Sequence, residues 1–281
     1  MNRPNPDLLH PAAGPAADET AALTARELFL ADLIREAGAL ARQAFAEASA
    51  PAVGLKGPQD FLTETDAAVE QLLRSRIKAR FPDDGFLGEE TGGLVADPVW
   101  VVDPIDGTAN FARRILHYCI SIAYVSGQVT RLGAVYDPSH DELYAARQGR
   151  GATRNGLPIR VAQTVSPDAA TLEFGWSNRV SNDIYLAALT TMLDAGVNVR
   201  RAATGALGLA YVADGRSDGY AELHMNAWDC LAGLLLVEEA GGRIGGFLEA
   251  NGLQKGGAVL AAAPGLAELL SRATGIMLRA G

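Results

Sequence analysis

A chain of 281 residues, 48% of them hydrophobic and with a mean hydropathy of +0.08, holds enough apolar material for a sizeable core. The formal net charge is −9, and Lys and Arg are scattered apart from the pairs Arg113-Arg114 and Arg200-Arg201. No basic stripe suits a nucleic acid, and no leader or long apolar run suits a membrane, so a soluble, cytoplasmic protein with neither partner is expected.

Residues 1–20 are rich in Pro and Ala without periodicity and read as a disordered tail ahead of one domain over 21–281. From Ala21 to about Ala48 the apolar residues Leu23, Leu28, Leu30, Leu33, Ile34 and Leu40 recur at helical spacing. A loop over Pro51–Pro58 carries Lys56. Thr65 and Asp66 are placed to cap a second helix with the stripe Val69, Leu72, Leu73 and Ile77. Short apolar runs follow at Phe86-Leu87 and Val99–Val102, then strands over 118–126, 129–136 and 142–146. The second half alternates strands near 171–174, 197–200 and 218–222 with helices near 182–195, 206–213 and 227–240, and closes with a strand at 257–262 and a helix from about 265. This order predicts a layered α/β protein with sheets sandwiched between helices. Cys119 and Cys230 stand far apart in apolar surroundings and read as small buried hydrophobes rather than a disulfide or a zinc site.

The sharpest local signal is Trp100-Val-Val-Asp103-Pro-Ile-Asp106-Gly-Thr108-Ala-Asn110-Phe111. An apolar strand delivers Asp103 at its end, and Pro104 disfavours a helical conformation there, so the chain is expected to turn at Asp103. The carbonyl of Ile105 lies between two carboxylates as a third hard oxygen. Gly107 permits close approach, and the N–H groups of Gly107 and Thr108 suit a phosphate if a helix begins there. Such oxygen donors suit Mg²⁺. An acidic turn, with Asp106 as a helix cap and Asp103 in an Asx turn, accounts for the same residues. Gly88-Glu89-Glu90-Thr91, Asn226-Ala-Trp228-Asp229 and Thr63-Glu-Thr65-Asp66 each admit the same two readings: a site carboxylate, or a solvated loop or helix cap.

Taken together these stretches, with Asp60 before Asp66 and Glu238-Glu239-Ala-Gly-Gly242 after Trp228-Asp229, resemble the inositol monophosphatase family in order and separation, from about Ala21 to the end. The resemblance implies an αβαβα sugar-phosphatase fold and a Mg²⁺-dependent phosphatase with two or three ions, acting on a small polyol or sugar monophosphate, most simply myo-inositol 1-phosphate. It implies Glu89, Asp103 and the Ile105 carbonyl as ligands of a first ion, and Asp103, Asp106 and Asp229 as ligands of a second. Glu89 and Thr108, the latter hydrogen-bonded to Asp66, would position and deprotonate a water. Gly107 and Thr108 would hold phosphate, and Gly205 and Glu222 would meet the polyol. Lys56 matches a lysine on a mobile loop, and a homodimer and lithium inhibition are also implied. Four carboxylates within about 5 Å repel by roughly 3 kcal/mol per pair at an effective dielectric of 20, which bound cations or protons must offset. Leu116-His117, His224 and Met225 depart from the family pattern. Histidinol phosphate, fructose 1,6-bisphosphate and a non-catalytic binding role therefore remain alternatives.

Overall fold

The computed structural model describes residues 15–47, 54–57, 60–93 and 96–279. Helix α1 spans Pro15–Glu47 and so starts ahead of the Ala21 expected from periodicity. Proline is tolerated in a first helical turn and the alanines that follow favour helix, so Pro15–Thr20 join α1. Residues 1–14 of the expected tail lie outside the described residues. Strands β1 (Gly54–Gly57) and β2 (Asp60–Leu62) form an antiparallel hairpin where a loop was expected. The side chain of Lys56 lies outside the described residues.

Helix α2 (Glu64–Arg80) is capped at Thr63, not at Thr65 or Asp66; Asp66 occupies the third helical position of a capping box. Next come β3 (Gly85–Gly88), β4 (Gly92–Gly93), β5 (Val99–Asp106) and the one-turn α3 (Thr108–Ala112). The meander β6 (Cys119–Ser126), β7 (Val129–Asp137), β8 (Glu142–Arg147), β9 (Ala152–Arg154) and β10 (Leu157–Pro158) follows. These strands form one eight-stranded sheet, ordered β10-β9-β8-β7-β6-β5-β3-β4 and antiparallel except for β3 beside β5.

The remainder comprises β11 (Thr171–Gly175), α4 (Asn182–Asp194), β12 (Asn198–Arg200), α5 (Gly205–Ala213), β13 (Gly219–Met225) and α6 (Ala227–Glu239), then β14 (Arg243–Ile244), α7 (Gly252–Lys255), β15 (Gly257–Ala262) and α8 (Pro264–Thr274). Its five strands make a second sheet, ordered β12-β11-β13-β15-β14. The expected alternation is therefore present, with boundaries within a few residues.

Strand periodicity explains the layers. Along β5, Trp100 and Val102 join a core with Leu30, Ile34 and Leu73 of α1 and α2. Val99 and Val101 point the other way, into a core shared with Leu209, Leu231 and Leu235 of α5 and α6. A third core holds Leu172 and Phe174 of β11, Ala188 and Met192 of α4, and Leu266 and Leu270 of α8. The order is thus α1/α2, first sheet, α5/α6, second sheet, α4/α8: the expected αβαβα sandwich. Both cysteines are buried and free. No helix among the described residues is long and apolar enough to cross a membrane.

Helix α6 seats closely on the first sheet because β7 carries Gly133 beneath it. A Cβ on Gly133 would meet the Cα and carbonyl oxygen of Ala232 at 2.9 Å, against rigid backbone. Gly133→Ala is expected to cost about 1–3 kcal/mol by overpacking and to lower the thermal midpoint by several degrees. An unchanged melting curve would mean that α6 shifts freely.

Candidate active site

The chain does not turn at Asp103-Pro104 as expected. Strand β5 runs on to Asp106 through a bulge: Asp103 pairs with Ser121 and Asp106 with Cys119, so two steps of β6 face three of β5. One extra residue inverts the side-chain phase. Asp103 follows Val99 and Val101 onto the α5/α6 side, Ile105 instead packs in the α1/α2 core, and Asp106 returns to the α5/α6 side opposite Cys119. The bulge therefore sets both aspartates of the motif on one face. Its kink is held by the Ile105 N–H donating to Asp103 Oδ1 at 2.9 Å. The turn comes at Gly107, whose φ of 93° lies in the left-handed region and which caps α3.

Helix N-termini converge on this face. The Asp106 carboxylate accepts the Ala206 N–H at 2.6 Å, at the start of α5. Asp229, in the first turn of α6, accepts the Asn226 N–H at 2.9 Å in a second capping box. Asp66, in the first turn of α2, accepts the Thr63 N–H at 2.9 Å and the Thr63 hydroxyl. The capping reading and the site reading are therefore compatible: Asp106 and Asp229 keep lone pairs toward the cavity they line, and Asp66 keeps one for the Thr108 hydroxyl.

Mutual repulsion ties the acids together. Burial, then the charges of Glu89, Asp106 and Asp229, push the Asp103 carboxyl well above the usual carboxylate range. Asp106 is pushed up to about 7 by desolvation, opposed by N–H groups of α5, with Glu89 adding like charge. Asp229 is pushed up to about 8 by desolvation and by Asp106. Among the described residues no three acidic, histidine or cysteine side chains already close on a metal-ligand arrangement. The carboxylates instead form a ring coupled through its charge. The oxygens available here, those of the carboxylates and of the Ile105 carbonyl, are hard, and their chemistry fits a hard cation such as Mg²⁺.

Thr108 begins α3 with its hydroxyl 3.0 Å from Asp66 Oδ1 and 3.0 Å from the Ile105 carbonyl. One proton serves either acceptor, and the hydroxyl keeps lone pairs for a water. Burial raises the Asp66 carboxyl above its ordinary value. Glu89 follows β3, its N–H donating to the Val102 carbonyl at 3.2 Å, which sets the Glu89 turn beside β5.

Three residues to which the sequence assigned no role, Asn110 of the central motif among them, position the site. Glu70, 1% exposed, accepts the N–H groups of Glu90 at 2.8 Å and Thr91 at 3.0 Å, fixing the turn that carries Glu89. Its signal was available: an acid one helical turn after Asp66 within the apolar stripe of α2. Asn110 donates to the carbonyls of His117 at 2.8 Å and Ala202 at 3.0 Å, and buried Thr204 donates to the His117 carbonyl at 3.1 Å. Together they tie α3 to the start of α5.

A cavity of about 500 Å³ opens beside the ring, lined by Glu89, Asp106, Gly107, Thr108, Gly205, Glu222, His224 and Asp229, among others. Glu222 accepts the Tyr220 hydroxyl at 2.7 Å and is raised to about 7 by burial, opposed by that bond and by Arg201 and Arg179. A Cβ on Gly205 would meet the Met225 methyl and the Tyr220 hydroxyl, so those side chains would have to shift to admit one. Burial and the Arg179 charge hold the His224 imidazole below its ordinary value. Glu173, Trp176, Arg179 and Arg201 also line the cavity, on segments where the sequence carried no motif.

An αβαβα sandwich with coupled carboxylates beside a polar cavity is a phosphatase fold. The chain belongs to the inositol monophosphatase family, whose sequence model matches residues 24–275. It is 34% identical over 235 residues to Nus factor SuhB of Escherichia coli K12, covering 82% of this chain and 88% of that one. Extragenic suppressor protein suhB of Bartonella henselae superposes with a TM-score of 0.81 at 30% identity, over 87% of this chain and 96% of that one. Inositol monophosphatase of Anabaena sp. PCC 7120 gives 0.78 at 32%, over 91% and 97%.

Proposed function

We propose that this protein is a Mg²⁺-dependent phosphomonoesterase acting on a small polyol or sugar monophosphate, with myo-inositol 1-phosphate as the foremost substrate. The carrying observation is the ring of Glu89, Asp103, Asp106 and Asp229, whose buried members are raised by desolvation first and then by neighbouring carboxylate charge. Such a ring is tolerable at neutral pH with cations or protons in it.

Glu89, Asp103 and the Ile105 carbonyl would hold one ion; Asp103, Asp106 and Asp229 would hold a second, with room in the scheme for a third. When bound, the ions lower the pKa of an attacking water and neutralise the charge of in-line phosphoryl transfer. Thr108, donating to Asp66, orients that water through its lone pair, and Glu89 receives its proton. The N–H groups of Gly107 and Thr108 hold a phosphate oxygen, while Gly205 and Glu222 contact the polyol. A homodimer is the expected assembly.

The curated relatives are named as Nus factors, so a partner-binding role stands beside this reading. An intact carboxylate ring favours catalysis, because binding alone does not need one. The test is inorganic phosphate release from myo-inositol 1-phosphate at neutral to alkaline pH, with millimolar Mg²⁺ and with EDTA. Release that EDTA abolishes is expected. Equal release in EDTA would overturn the mechanism, and no release would move the question to histidinol phosphate, fructose 1,6-bisphosphate or the binding role.

A further inference from the structure

A row of polar side chains crosses the second sheet beneath the cavity. In the parallel register of β12, β11 and β13, Arg200 lies beside Glu173 and Glu173 beside Tyr220. Residues paired in this way point to the same face. That face is the α5/α6 side, since Tyr220 belongs to the core there while Leu172, Phe174 and Ala221 belong to the core under α4 and α8. The next inward row pairs Gly175 with Glu222, and any Cβ on Gly175 would collide with the Glu222 carboxylate. With no side chain of its own, Gly175 makes room for the Glu222 carboxylate next to the Glu173 row.

Glu173 is 2% exposed and lines the cavity. Its Oε1 has no hydrogen-bond partner, and the nearest cation, the Arg200 guanidinium, stands at 3.7 Å, beyond hydrogen-bond reach. The Tyr220 hydroxyl cannot serve it, because that proton goes to Glu222. A buried carboxylate oxygen left unsatisfied is costly unless something fills its place. A ligand hydroxyl would do so once the carboxylate turns toward the cavity that Glu173 lines.

We propose that Glu173 is a specificity-determining residue whose unpartnered oxygen receives a hydroxyl at the far end of the substrate. With Glu222 it selects a multiply hydroxylated body over a short or aromatic alcohol phosphate. The proposal rests on the phosphatase reading above. It differs from a purely structural role, in which Glu173 serves only as the counter-charge of Arg200.

Glu173→Gln keeps the shape and removes the charge. Wild type and variant are compared on myo-inositol 1-phosphate and on p-nitrophenyl phosphate with Mg²⁺, together with their thermal midpoints. The expected result is a KM for the polyol ester raised about tenfold, the scale of one hydrogen bond to a charged group, with kcat and the aromatic ester unaffected. Equal losses on both esters, or no change on either, would overturn the proposal. Hydrolysis of p-nitrophenyl phosphate by wild type reports the phosphatase reading separately. If wild type turns over neither ester, calorimetric titration with myo-inositol 1-phosphate and with inorganic phosphate gives the same comparison; an unchanged affinity ratio in the variant overturns the subsite. Should Glu173→Gln not fold, Glu173→Asp, which withdraws the carboxylate by one methylene, is expected to show the same selective loss, and equal losses on both esters again overturn it.

Discussion

Asp106→Asn is expected to abolish phosphate release while leaving the protein folded. The Asn carbonyl still accepts the Ala206 N–H that Asp106 takes at 2.6 Å, so α5 keeps its cap. What disappears is one negative charge from a position where desolvation and Glu89 already oppose it. Removing it relieves the metal-free fold, so the thermal midpoint in EDTA should hold or rise. Catalysis loses a carboxylate assigned to the second ion. A loss of about 4 kcal/mol of transition-state stabilisation corresponds to roughly a thousandfold in rate. A folded variant keeping more than about a tenth of wild-type turnover, a loss of only about 1.4 kcal/mol, would sink the two-ion assignment.

Stability in EDTA should fall as pH rises, and Mg²⁺ should reverse the trend. In the folded, metal-free protein Asp106 sits at about 7, Asp229 at about 8, and Asp103 above its ordinary range. In the unfolded chain all three titrate near 3.9. Between about pH 4 and pH 8 the folded state therefore binds more protons than the unfolded state, and stability declines as pH climbs through that interval. Cations that bind the ionised ring displace those protons, so binding releases protons and strengthens with pH. Thermal melts from pH 5 to pH 9, with EDTA and with millimolar Mg²⁺, should show an EDTA midpoint that falls and a Mg²⁺ increment that grows. An increment independent of pH would mean that Mg²⁺ binds somewhere other than this ring.

Much of the architecture was legible in residue order alone. The alternation of β11 to α8 follows from apolar periods of two and 3.6 punctuated by glycine and proline, because both faces of each strand and one stripe of each helix must be buried. The motif residues were also legible as a set. What separate stretches could not reveal was whether each acid capped a helix or served a site. Asp66, Asp106 and Asp229 accept N–H groups at helix starts, and the same carboxylates also serve the site, Asp106 and Asp229 directly and Asp66 through Thr108, since a carboxylate has lone pairs for both.

Local pattern left some positions open to more than one outcome. Thr63 rather than Thr65 caps α2, β1 and β2 pair where a loop was expected, and the chain passes Pro104 in a bulged strand. The sequence determined which residues are strand, helix and turn, and which acids were available, because burial periodicity and turn chemistry are local. The tertiary structure alone decided which acids meet. The bulge between Asp103 and Asp106 inverts one side-chain phase, and the register of β11 with β12 and β13 lines up Arg200, Glu173 and Tyr220. Glu70 reaches the Glu89 turn across the packing of α2 on β5. Each of these depends on pairing between segments distant in the chain, and pairing register is set by the packing of both faces rather than by any one strand.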